Sequence, residues 1–310
     1  MTLRRVASIE VPRGAKPGFD HADVFLTRTG SRMYVANTGA DRIDVFDCAE
    51  GVYLHALNGH PGVAGVLVDS GLDLMLTTDR AASQMTLYQV SSEKLIARFA
   101  VGAHPNGIAL DTQQRRVYTF DLGDPPGTGC TATIVDLDAH AVIGQLPLPG
   151  RPRWAAYDGS SHAIYANIAD PPGIVVLDTI SQKIIRTLAV PSAGPHGLAL
   201  INGLLFCASD AGELLVLDLS GRVHAGLALA GAPDVVMSDL ELARVYVAIG
   251  SPGVVQSFDT KALQLVETVE TEEGAHTIGW DPVLKQLWAF APRACGAIVF
   301  QESSEAIATG

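Results

Sequence analysis

The sequence predicts an all-β fold of seven repeated sheets, and three observations carry that prediction. A large, mostly aromatic residue sits inside a hydrophobic segment at Tyr34, Leu76, Tyr118, Tyr165, Phe206, Tyr246 and Trp288, at intervals of 42, 42, 47, 41, 40 and 42 residues. Each interval holds four short segments with strand chemistry, and no segment sustains a helical period with caps. The last unit lacks a strand that the N-terminus has to spare. Four strands per roughly 42 residues, repeated seven times, is the pattern of a seven-bladed β-propeller with four antiparallel strands per blade.

The elements follow in order along the chain. LRRVASIEV, at about residues 3–11, reads as an unpaired strand ahead of the first repeat. Blades are expected at about 18–58, 59–102, 103–150, 151–193, 194–231, 232–273 and 274–302, making residues 1–310 a single propeller domain. The fourth shows the unit plainly: RWAAYD, AIYANI, GIVVLD and IIRTLAV, divided by Asp-Gly and Pro-Pro-Gly turns. The long interval of 47 contains GDPPGTG at 123–129, a Gly/Pro loop that absorbs the surplus. An acidic residue about seven positions before the large one recurs at Asp69, Asp111, Asp158, Asp239 and Asp281. The seventh blade supplies HTIGWD, QLWAFA and AIVFQ and then drifts into ESSEAIATG without a fourth strand. Placing the N-terminal strand on its outer edge closes the ring and removes an exposed edge that other chains could pair with.

Composition narrows the function classes. A chain that is 48% hydrophobic and 17% charged buries a large core and is neither disordered nor fibrous. No apolar run approaches the roughly 18 residues a membrane helix needs, so no membrane role is expected. MTLRRVASIEVPRG lacks the roughly 7–15-residue apolar core of a signal peptide, which points to a cytoplasmic protein. Net charge is −12, from 21 Lys+Arg against 33 Asp+Glu, and no basic run offsets it. Such a field repels nucleic-acid backbones, so no nucleic-acid partner is expected. Cys48, Cys130, Cys207 and Cys295 are scattered without a CxxC pair and read as reduced, buried thiols. A closed ring demands no edge partner, so a monomer is the expectation.

Tyr34-Val35-Ala36-Asn37, followed by TGADRIDVFD, resembles the YVTN family of propeller repeats. Echoes occur at Tyr165-Ala166-Asn167, Tyr246-Val247-Ala248, and the strand endings IVVLD and LLVLD at Asp178 and Asp218. The resemblance spans essentially the whole chain. It implies a seven-bladed propeller and says little of activity, because that family holds binding proteins, surface proteins and a few enzymes. The GH…WD pairing of WD40 blades is missing.

The repeat register also locates a candidate site. The turn leading into each innermost strand lies on one face of the disc, and equivalent positions there carry Ala22, Ala64, Asn106, Arg153, His196, Asp234 and His276. Two residues earlier stand Asp20, Gly62, His104, Arg151, Gly194, Ala232 and Gly274, with His21 and His60 in the same turns. Turn chemistry alone accounts for any one of these, since Gly, Asn, Asp and His all suit such turns. Together they concentrate titratable groups at one channel mouth. His55, His140, His162 and His224 fall in outer strands or loops and read as surface residues.

Three uses follow from the residue types. His104, His196 and His276 could hold a divalent metal in the central channel if their ring nitrogens converge within about 4–5 Å. His196 or His276, oriented by Asp234, could act as a general base. Arg151 and Arg153, with Asn106, His104, His60 and His21 around them, could bind a small carboxylate or phosphate. Pro195-His196-Gly197-Leu198 resembles the Pro-His-Gly turns of streptogramin lyases, propellers that open a cyclic ester with His, a nearby Glu and Mg²⁺. Here Glu273 precedes His276 by three positions, wider than that pattern. Lactone-hydrolysing propellers are a further analogy. The expected function is binding of a protein partner or small anionic ligand at the mouth, with a lyase or hydrolase as the alternative. GADR (39–42), TDRAAS (78–83) and SDAGE (209–213) read as plain hairpin turns.

Overall fold

The computed structural model describes residues 2–13 and 18–303. Residue 1 and residues 14–17 and 304–310, which the single-domain reading also spans, lie outside the described residues. The described residues form 28 strands in seven four-stranded antiparallel sheets, with two short 3₁₀ turns and no α-helix. Six sheets take four consecutive strands each. The seventh is built from both ends of the chain: Thr2–Glu10 pairs antiparallel with Gly296–Ser303, followed inward by Gln286–Ala291 and Thr277–Asp281. The expected closure by the N-terminal strand is what the structure shows.

The recurring large residue explains itself in the packing. Tyr34, Leu76, Tyr118, Phe206, Tyr246 and Trp288 are completely buried, and Tyr165 nearly so, each in the second strand of its blade. They fill the gaps between adjacent sheets, where seven apolar clusters sit, one for each junction around the ring. Phe46 of the first blade packs on Trp288 and Phe290 of the last, so the closing junction is as aromatic as any other. Truncating one such side chain would leave a cavity costing roughly 3–5 kcal/mol. The four cysteines are buried and free.

The recurring aspartate has a separate cause. At the end of an inner strand, its carboxylate accepts backbone N–H groups of the hairpin that follows: Leu72 on Asp69 at 2.7 Å, Leu242 on Asp239 at 2.7 Å, and Val283 and Leu284 on Asp281 at 2.9 and 3.0 Å. Such Asx caps set the turn that reverses the chain on the lower face of the disc. The same turns place His162 in the left-handed region at φ 53°, and His140 occupies the matching position of the hairpin between third and fourth strands of its blade, at φ 51°. Neither histidine approaches the channel mouth.

Within each blade the inner strand runs from the upper face to the lower, and the second strand returns. The connection from second to third strand therefore lies on the same upper face as the turn that opens the inner strand. That topology brings two loops per blade to one mouth.

Candidate functional site at the upper channel mouth

The inner strands Pro152–Asp158, Pro195–Ile201 and Pro233–Asp239 begin at the upper face, and their second residues point toward the axis. From there a connected arc of side chains runs across four blades. Arg153 Nη1 lies 3.1 Å from His196 Nε2, His196 Nε2 lies 3.2 Å from Asp234 Oδ1, and His276 Nδ1 lies 2.8 Å from Asp234 Oδ2. Asp210, on the hairpin between second and third strands of blade five, receives His196 Nδ1 at 2.8 Å and faces Arg153 at 3.8 Å. A second arc covers the first three blades. Arg80 donates to Asp20 at 2.8 Å and to the Asn106 side-chain oxygen, while His21 Nδ1 sits 2.7 Å from Asp20. Among the described residues no side-chain hydrogen bond joins the arcs between Asn106 and Arg153 or between His276 and Asp20.

His196 Nε2 cannot both accept from Arg153 and donate to Asp234. Two carboxylates flank the ring against one guanidinium, and the charged ring satisfies both. Burial alone would lower the imidazole pKa, but hydrogen bonds to Asp210 and Asp234 and the charge of Asp234 outweigh it and raise it from 6.5 to about 9. His196 is therefore an imidazolium at neutral pH, donating Nδ1–H to Asp210 and Nε2–H to Asp234. Arg153 lies against the ring and takes Asp210 as its counter-charge. Asp234 is held far below the usual carboxylate range: burial opposes this, and the hydrogen bonds from His196 and His276 overcome it. His276 is raised, chiefly by its hydrogen bond to Asp234. Asp20 is lowered against its burial by the charges of His21 and Arg80.

The guanidinium side of the mouth is crowded. Arg153 is held below its ordinary value by burial first and then by the charges of Arg151 and Arg80. The Nε atoms of both Arg80 and Arg153 are buried without a hydrogen-bond partner. Four cations, Arg80, Arg151, Arg153 and protonated His196, stand against three carboxylates, Asp20, Asp210 and Asp234. The cluster is cationic within a chain of net charge −12.

Several expected residues lie elsewhere. His60 is completely buried inside blade two, its ring held between Asp79 at 3.0 Å and the Tyr88 hydroxyl at 2.8 Å. It stands two positions earlier in its turn than His104 does in a turn of the same length, and there the ring faces into the sheet. His104 has φ 52° and turns its Nδ1 onto the Gly123 carbonyl at 3.0 Å, against the inserted Gly/Pro loop. The metal trio His104, His196 and His276 is thus not brought together, and among the described residues no group of three or more His, Cys, Asp or Glu is placed to hold a metal ion. Glu273 is exposed and meets neither imidazole of the arc. Conversely, Arg80 and Asp210 come from TDRAAS and SDAGE, segments that read as plain turns. The signal that finds them is the topology, which puts every second-to-third-strand hairpin on the upper face.

Below this ring an aromatic contact crosses the axis. Trp154 of blade four reaches across to His21 of blade one, with ring centroids 4.0 Å apart.

Seven closed four-stranded blades with a polar mouth over an axis crossed by that contact define this chain as a seven-bladed β-propeller. Among solved structures it is similar to a chain of Kuenenia stuttgartiensis hydrazine synthase, with a TM-score of 0.81, 12% sequence identity, and coverage of 95% of this chain and 98% of that one. At that identity the likeness speaks for the fold alone. No protein-family model matches the chain, and no curated protein matches it.

Proposed function

We propose that this chain is a binding propeller of YVTN type that takes a small carboxylate- or phosphate-bearing ligand, or an anionic segment of a partner, at its upper mouth. The observation that carries this reading is the crowding of Arg80 and Arg151 on Arg153, with Arg80 also donating to Asn106 and two buried guanidinium Nε–H donors unpartnered. A planar anion placed there would accept from those donors and relieve the mutual repulsion. His196, already an imidazolium, adds a fixed positive charge, and Asp210 and Asp234 hold it in place. The same protonation argues against His196 as a general base at neutral pH, since a base must be free to take a proton.

The lyase or hydrolase reading then falls to His276, which meets Asp234 through Nδ1 and whose Nε2 has no described partner. One experiment separates the two. Titration calorimetry with succinate, citrate and inorganic phosphate at moderate salt should give saturable binding of at least one, weakened about tenfold or more, ~1.4 kcal/mol, by Arg153→Gln. Absence of binding by all three, or an affinity indifferent to Arg153→Gln, would overturn the anion reading. Turnover of a cyclic ester that stops in His276→Gln would put the enzyme reading in its place.

A further inference from the structure

The lower half of the axis carries chemistry opposite to the upper mouth. Opposite the recurring large residue of the second strand, the inner strands present Leu67, Ala109, Ala156, Ala199, Met237 and Gly279 in six blades and Asp23 in the first. Asp23 is the only charged residue at that level. Its oxygens accept the backbone N–H groups of Val24 at 2.8 Å and Val68 at 2.7 Å, and among the described residues no cation pairs with it. Burial pushes its pKa up to about 6, with the charge of Asp69 adding to the rise.

Asp23 borders two spaces. Above it lies a cavity of ≈ 130 Å³ lined by Leu67, Ile108, Met237, Trp154 and His21. Below it opens a vestibule of ≈ 400 Å³ lined by Asp239, Glu241, Trp280 and Lys285. Lys285 is already bound to Glu241 at 2.7 Å and to Asp239 at 3.4 Å, so the vestibule offers no free cation to Asp23. The Trp154 indole lines the upper cavity, and its Nε1–H is buried without an acceptor. A carboxylate and an unpaired N–H donor thus border one cavity whose remaining walls are mostly aliphatic.

We infer that this cavity binds a small primary amine, its ammonium on Asp23 and a hydroxyl or ether oxygen on the Trp154 Nε1–H, entering through the acidic lower vestibule. By comparison with engineered cavities of about 150 Å³ that hold benzene, the space admits about six non-hydrogen atoms. The indole face adds a cation–π attraction for an ammonium. Asp239 and Glu241 draw a cation toward the opening, and the arginines of the upper mouth repel it, which sets the route. This site shares only the wall residue His21 with the upper mouth and none of its arginines, so each stands or falls alone.

Ethanolamine, protonated at neutral pH, is the probe, with ethylene glycol as its uncharged counterpart. In protein carrying ¹⁵N-labelled tryptophan, ethanolamine should shift the Trp154 indole N–H signal saturably, with the millimolar affinity such a small ligand allows. The signal is assigned by its disappearance in Trp154→Phe. Ethylene glycol should leave it unmoved at equal concentration, and Asp23→Asn should weaken binding about tenfold or more. No saturable shift, an equal response to ethylene glycol, or a natively melting Asp23→Asn with unchanged affinity would each overturn the inference. Should Asp23→Asn fail to fold, the comparison with ethylene glycol still decides.

Discussion

Replacing Asp234 with Asn tests the electrostatic core of the upper mouth. In the folded protein His196 titrates at about 9 rather than 6.5. At 1.36 kcal/mol per unit, that difference is worth about 3 kcal/mol of stability. The His196 side chain is only 14% exposed, so solvent screening takes little from it. Because the folded value is the higher one, the contribution is complete below about pH 6.5 and is lost as pH rises through about 9. At the acid end it fades as Asp234 and Asp210, both lowered in the fold, are forced to protonate. The shifts of His196 and its two carboxylates describe one set of contacts and are not summed.

Asp234→Asn keeps the shape and removes the charge, leaving Asp210 as the sole anionic partner of His196. About 2 kcal/mol should disappear near pH 6, seen as a fall of about 4 °C in melting temperature for a chain of this size. The deficit should shrink toward pH 9.5, where wild-type His196 has itself lost its proton. The direct assay is ¹H–¹³C NMR of the histidine ring carbons. Wild type should show one imidazole titrating near 9, and the variant should move that midpoint down by one unit or more. A wild-type His196 titrating near its ordinary value, or a midpoint indifferent to Asp234→Asn, would refute the reasoning.

Two further outcomes rest on the frame. Removing residues 2–10 strips the outer strand from blade seven and uncovers Ile298, Val299 and Phe300, which cluster with Leu3 and Ile9, so the shortened chain should aggregate or self-associate on size exclusion; an unchanged monomer with an unchanged melt would contradict closure by that strand. Gly197→Ala would drive a methyl group into the Asp234 carbonyl and Val236, costing about 1–3 kcal/mol by thermal melting and displacing His196, so the NMR titration near 9 should shift with it.

The fold was readable because one physical demand repeats. Each blade must fill the gap to its neighbour, and the large residue at Tyr34, Tyr118 or Trp288 does so at a fixed interval. The inner-strand ring was readable for the same reason, since register alone brings Arg153, His196, Asp234 and His276 to one mouth. Ring orientation was not. His60 and His104 lie in equivalent turns of equal length but two positions apart, so one enters a buried pair with Asp79, and a left-handed backbone sends the other onto Gly123. Arg80 and Asp210 escaped because turn composition hides their side chains, while strand direction reveals where the turns lie. Asp23 escaped because its meaning lies in what its six counterparts lack.

The contact between His21 and Trp154 has a consequence for traffic. Two rings from different blades meet across the axis and divide the passage into an upper and a lower well. The protein can therefore present different chemistries above and below this partition, and a tenant of one well need not compete with a tenant of the other.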